Sequence, residues 1–243
     1  MKAPKMIIFD YGQTLCTESG HSMLAGYEAV MCHATENPQN LTAQQVCDFA
    51  TELFFQTRTA QLSAYEFHQF HFQRLCNEYL QLEFDLTETE FETLLWDKAA
   101  PAAATPHIGE LLQYLQNRGI RTAVISNLSF SGASLRARLN RLLPDNRFEF
   151  VIASSEYTIR KPHKLLFELA LRKAHLDGAD VWYCGDRVEA DIEGAHSAGM
   201  YPVWYTGAGL DGFGSNRNDR EPNCEHLHIT DWTEFIEILE SAT

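Results

Sequence analysis

Apolar and polar positions along the chain fall into two regimes. The first apolar run, Met6-Ile7-Ile8-Phe9, is continuous and stops at Asp10, which predicts a strand covered by helices on both faces and ending at a sheet edge. After Leu15 the spacing becomes helical. Met23, Tyr27, Val30 and Met31 predict one helix, and Val46, Phe49, Ala50, Leu53 and Phe54 predict a second behind a Thr42 cap. Tyr65, Phe67, Phe70, Phe72, Leu75, Tyr79 and Leu80 predict a third, and Thr87 with Glu90 forms a capping-box pattern that opens a fourth towards Leu94, Leu95 and Trp96. No strand is expected within this stretch.

Residues 99–106 form a small-residue, proline-bounded linker. Beyond it strands and helices alternate. The stripe Ile108, Leu111, Leu112, Leu115 ends at Gly119, and strands are expected over 122–125, 148–153, 181–184, 201–205 and 227–229. Helices are expected over 162–175, with Pro162 in the first turn, over 191–198 and over 232–239, while the Gly- and Asn-rich stretch 206–223 reads as a long loop. This order predicts an α/β fold with a doubly wound parallel sheet. Residues 1–16 and 101–243 form its core, and 17–100 form an inserted all-helical module.

A chain of 243 residues with 45% hydrophobic content is long enough for such a core plus a module. The net charge of −14 is concentrated in the insert, where thirteen acids face only Arg58, Arg74 and Lys98. Without a basic footprint, nucleic acid and anionic membrane surfaces are not the expected partners. No apolar run approaches the ~20 residues of a bilayer span, and four apolar residues after Lys5 are too few for a secretory signal, so the cytoplasm is the expected compartment. Six scattered cysteines without a CxxC pair are expected as reduced thiols.

Polar groups gather at the ends of the expected strands: Asp10, Ser126 with Asn127, Lys161 after Arg160, and Asp186 with Asp191. Parallel strands bring these ends to one edge. Carboxylates without nearby thiolate or imidazole suit a hard cation such as Mg2+, whereas a hydroxyl, an amide and an ammonium suit phosphoryl oxygens.

These stretches resemble the motifs of the haloacid dehalogenase-like hydrolase superfamily, in its branch with a helical cap after the first motif. Phe9-Asp10-Tyr11-Gly12-Gln13-Thr14-Leu15 resembles the first motif, Val124-Ile125-Ser126-Asn127 the second, and Arg160-Lys161-Pro162 the third. Cys184-Gly185-Asp186 with Asp191 resembles the fourth. The resemblance implies a Rossmann-like core and an Mg2+-dependent phosphatase acting on a small phosphorylated metabolite through an aspartyl-phosphate. By the same resemblance Asp10 is the nucleophile, Lys161 is catalytic with it, and Ser126, Asn127 and Lys161 bind the phosphorylated substrate. The metal set is Asp10, the main-chain oxygen of Gly12, Asp186 and Asp191.

One position departs from the pattern. The family's phosphatases carry a second Asp, the acid and base of the reaction, where this chain has Gly12. Such help is typically worth 10²–10⁴-fold. The departure implies a weak or selective phosphatase for good leaving groups, or one in which Glu18 or His21 substitutes. It is also compatible with a protein that binds a phosphorylated ligand or another protein without turnover. Hydrolysis at carbon or of a carbon–phosphorus bond fits less well: the metal motif is kept, and residues 17–97 contain no lysine for a Schiff base. His68 with His71 and His226 with His228 are expected to be hydrogen-bonded or solvated rather than zinc ligands. The phenylalanine-rich stretch 54–72 suits helix packing or a substrate pocket, with hinges expected at 15–18 and 99–106.

Overall fold

The computed structural model describes residues 2–57, 65–208 and 220–242. Strand β1 (Met6–Phe9) leads through β2 (Cys16–Glu18) into α1 (Met23–Met31), β3 (Ala34–Glu36), α2 (Ala43–Thr57), α3 (Gln69–Leu80), β4 (Glu83–Phe84) and α4 (Glu88–Ala99). The chain returns through β5 (Ala102–Ala104) to α5 (Ile108–Asn117), β6 (Arg121–Ser126), α6 (Gly132–Leu142), β7 (Phe148–Ala153) and α7 (Lys164–Ala174). It closes with β8 (Val181–Gly185), α8 (Gly194–Ser197), β9 (Tyr201–Tyr205), β10 (Leu227–Ile229) and α9 (Trp232–Ser241). No described helix is long and apolar enough to cross a membrane.

Six strands form one parallel sheet in the order β10-β9-β8-β1-β6-β7, with β1 in the middle. Its four side chains are fully buried and alternate between faces. Ile7 and Phe9 pack with Leu111 and Leu115 of α5 and Trp232 and Phe235 of α9, while Met6 and Ile8 pack with Leu166, Phe167 and Ala170 of α7. Burying each such large apolar side chain contributes about 1.5–3 kcal/mol, which is why the run shows no polar alternation.

The insert has its own core of Tyr27, Val30, Val46, Ala50, Cys76, Phe91 and Leu95. Both expected caps form. The Thr87 and Glu90 side chains bond reciprocally to each other's backbone N–H, and Gln45 N donates to Thr42 Oγ1 while Thr42 N donates to Gln45 Oε1.

Several expectations are corrected. The insert is not strand-free, because β3 and β4 pair antiparallel and tie the segment after α1 to the segment after α3. The third helix starts at Gln69 rather than Tyr65: Tyr65 bridges Ile159, Glu66 N donates to Thr158 O, and His68 caps the helix through Phe70 N. Pairing with the core outweighs local helical spacing there. Residues 102–104 are a strand rather than a plain linker, since β5 pairs with β2 and zips the two chain crossings together. Helix α7 begins at Lys164, two residues after Pro162, and His163 is its cap. Helix α6 stands where the sequence reading has no helix. The long loop over 206–223 and the stretch 54–72 fall partly outside the described residues, as does Arg58.

Candidate active site

Neighbouring parallel strands deliver Asp10, Ser126 and Asp186 to one edge. Asp10 directly follows β1, and its N–H donates to Cys184 O at 2.8 Å. Ser126 closes β6, and Asp186 follows β8. Asp191 sits in a π-helical turn, Val188–Glu193, that replaces the start of the α-helix expected at 191. This wider turn lets Asp191 reach back so that Arg187 N donates to its Oδ2 at 2.9 Å. A Cβ on Gly185 would lie 2.5 Å from Asp191 Cβ, so only glycine admits that approach. Asp10, Asp186 and Asp191 are all buried and place carboxylate oxygens within 4.8 Å of one another.

Lys161 faces this cluster, only 5% exposed. Its Nζ donates to Asp10 Oδ1 and Asp191 Oδ1, each at 2.6 Å, and to Tyr183 Oη at 2.8 Å. Burial alone would pull the ammonium down, but the Asp10 and Asp191 carboxylates outweigh it and hold the Lys161 pKa above its ordinary value. Burial raises the Asp10 pKa to about 6, against the opposing pull of Lys161.

Asn127 braces this lysine rather than facing open space. Its Nδ2 donates to Lys161 O at 2.9 Å, and its Oδ1 accepts from Lys161 N at 2.8 Å. Arg160, next along, pairs with Glu66 of the insert at 3.2 Å. Gly12 is half-buried, and a Cβ built on it meets nothing within 4 Å. Glu18 is committed elsewhere: its Oε1 accepts from Tyr11 Oη, Trp96 Nε1 and Arg138 Nη2. His21 is exposed at the entrance to the insert.

Arg138, from the unforeseen α6, is 1% exposed and joins three parts of the chain. It donates to Tyr11 Oη at 2.7 Å, to Asp97 at 2.5 Å and to Ala100 O, and its guanidinium lies 4.4 Å from the Trp96 ring centroid. The loop after Asp10, α4 and the residue that follows it therefore share one buried cation. Glu92 adds a second tie, accepting from Ser131 N, Ser131 Oγ and Ser134 Oγ at the start of α6. The histidine pairs lie away from the carboxylate cluster: His68 Nδ1 accepts from Phe70 N, and His228 stacks on Trp204 at 4.4 Å.

A sequence profile described as haloacid dehalogenase-like hydrolase matches residues 4–199. The chain belongs to that family. It is 32% identical over 110 residues to a glyceraldehyde 3-phosphate phosphatase of Pyrococcus abyssi, covering 44% of each chain. It is 31% identical over 100 residues to a ribulose-1,5-bisphosphate 5-phosphatase of Halopiger xanaduensis, covering 41% of each. The match thus spans less than half the length of these relatives. In fold, a HAD phosphatase from Thermococcus onnurineus superposes with a TM-score of 0.62 at 18% identity, over 100% of this chain and 99% of that one. The α/β, Rossmann-like architecture of the family is therefore the architecture of this chain.

Proposed function

We propose that the protein is an Mg2+-dependent phosphatase of a small phosphorylated metabolite, with Asp10 as its nucleophile. The observation that carries this reading is the buried cluster in which Lys161 contacts Asp10 and Asp191 while the Asp186 carboxylate converges with theirs. Three carboxylates against one ammonium leave excess negative charge, and an all-oxygen set suits a hard divalent cation. Asp10, Asp186 and Asp191, with the main-chain oxygen of Gly12, would hold that ion. Bound there, it would supply positive charge that offsets repulsion between carboxylate and phosphoryl group.

The chain's own residues do the rest. Ser126 and Lys161 receive the phosphoryl oxygens, and Asn127 fixes the lysine's main chain in register. A carboxylate oxygen of Asp10 attacks phosphorus as the ester P–O bond breaks, and its electron pair leaves on the alcohol oxygen. Water then attacks phosphorus and releases phosphate, returning the Asp10 carboxylate. With glycine at 12 and Glu18 bound to Arg138, the alcohol leaves without help from either, which favours stable leaving groups.

The names of the relatives, phosphatases of glyceraldehyde 3-phosphate and ribulose bisphosphate, support a small phosphorylated substrate. In this reading residues 17–100 act as a cap whose acidity disfavours highly anionic substrates, moving about the β2–β5 ribbon. Phosphate release from aryl, acyl and sugar phosphates, measured with Mg2+ and with EDTA, tests the proposal. Metal-dependent release abolished by Asp10→Asn is expected. Undiminished release by that variant, or equal release in EDTA, would overturn it, and no release from any substrate would leave a binder of phosphorylated ligands.

A further inference from the structure

Asp186 stands one residue beyond the last paired position of β8, where Gly185 lies opposite Trp204 of β9. The ladder therefore ends just before this carboxylate, and a side chain takes over from it. The indole Nε1 of Trp204 donates to Asp186 O at 3.0 Å. A carbonyl held in this way restrains the peptide that carries the Asp186 side chain, whose carboxylate converges with those of Asp10 and Asp191.

The indole is itself held from the next strand. Trp204 lies opposite His228 in the β9–β10 ladder, and the two rings stack with centroids 4.4 Å apart and planes 22° from parallel. Thr206 Oγ1 lies 3.0 Å from His228 Nε2 and fixes the imidazole. His226 meets the same indole edge-on, with centroids 6.0 Å apart, and its own Nδ1 lies 2.9 Å from Cys224 O. Stacked and edge-on contacts set the orientation of a ring as well as burying it, so the N–H is aimed. Among the described residues the ligating groups that converge are those of Asp10, Asp186 and Asp191, so these histidines complete no metal cluster of their own.

We propose that Trp204, steadied by His226 and His228, is a positioning residue for Asp186: it fixes the peptide carrying that carboxylate and so sets the affinity of the site for a divalent cation. This rests on the metal reading given above. Calorimetric titration of the whole protein with Mg2+ alone tests it without any substrate. Trp204→Phe keeps a ring in the stack, deletes the N–H and should weaken Mg2+ binding about tenfold, the lower end of what partners one step removed from a metal contribute. His228→Ala should weaken it in the same direction, and His228→Phe, which restores a stacking ring, should recover most of the loss. If Trp204→Phe fails to fold, the exposed His228 carries the comparison. In phosphate release the Mg2+ concentration for half-maximal rate should rise by the same factor, with a smaller change in KM for the ester. A lower urea midpoint in EDTA with the Mg2+ affinity of the folded variants unchanged would mark a merely structural role and overturn the inference, leaving the metal site standing. A parent protein that binds no Mg2+ would overturn the metal site itself and this inference with it.

Discussion

On the proposed mechanism, replacing Gly12 by Asp is expected to raise turnover of alkyl phosphates more than that of phosphates with good leaving groups. The space exists: a Cβ at position 12 meets nothing within 4 Å, and the backbone there is not left-handed, so a side chain enters without strain. The added carboxyl would stand two residues beyond Asp10, at the position of the acid and base in the family's phosphatases, where it would lend the departing oxygen a proton. General acid help of 10²–10⁴-fold corresponds to about 3–5 kcal/mol of barrier at 1.36 kcal/mol per decade. An alkoxide needs that proton and a nitrophenolate hardly does. The expected outcome is therefore a rise in kcat/KM of about 100-fold or more for an alkyl phosphate, with less than about tenfold for a nitrophenyl phosphate. Steady-state phosphate release on the two substrates, at matched Mg2+ occupancy, reads the difference. Equal changes on both, or no gain on the alkyl ester by a folded, metal-binding variant, would refute the reasoning.

Three further outcomes are expected. Lys161→Met leaves the buried Asp10 and Asp191 without their shared cation and should lower unfolding stability in EDTA by about 3–5 kcal/mol, read from urea midpoints; a loss under about 1 kcal/mol contradicts the pairing. Asn127→Ala removes both hydrogen bonds to the Lys161 main chain and should lower kcat about tenfold with a smaller change in KM, whereas an unchanged kcat would contradict a positioning role. Burial holds the Glu92 carboxyl above 4.5, partly offset by the Ser131 and Ser134 hydrogen bonds, so the native state keeps its proton to higher pH than the unfolded chain. Stability attributable to Glu92 is then greatest below its unfolded pKa and falls as pH rises through the folded one. Asp10, raised to about 6, adds a slope of the same sign. Glu92→Gln should flatten the pH–stability curve relative to the parent, and an identical slope would contradict the assignment.

The parallel core was legible because β1, residues 181–184 of β8 and residues 123–125 of β6 are buried, continuous apolar runs. The strand-end positions of Asp10, Ser126 and Asp186 followed from the same logic. Helix α6 escaped notice because its inward face replaces an apolar position with Arg138, leaving only Leu135 and Leu139 as a short apolar signal. That arginine draws its partners from residues 11, 18, 97 and 100, a coincidence no local pattern encodes. The commitment of Glu18 was hidden for the same reason. The π-helical turn at 188–193 and the β2–β5 ribbon likewise depend on tertiary approach, of Asp191 to Gly185 in one case and of two chain crossings in the other.

A covalent phosphoryl group on Asp10 is the central intermediate of the proposed reaction. Acid quenching during turnover of an aryl phosphate, followed by peptide mass analysis, tests it most directly. The phosphoryl mass is predicted on the peptide containing Asp10, formed with Mg2+ and absent with EDTA or in Asp10→Asn. Sustained turnover with that peptide unmodified, or with the label on another residue, would contradict the claim.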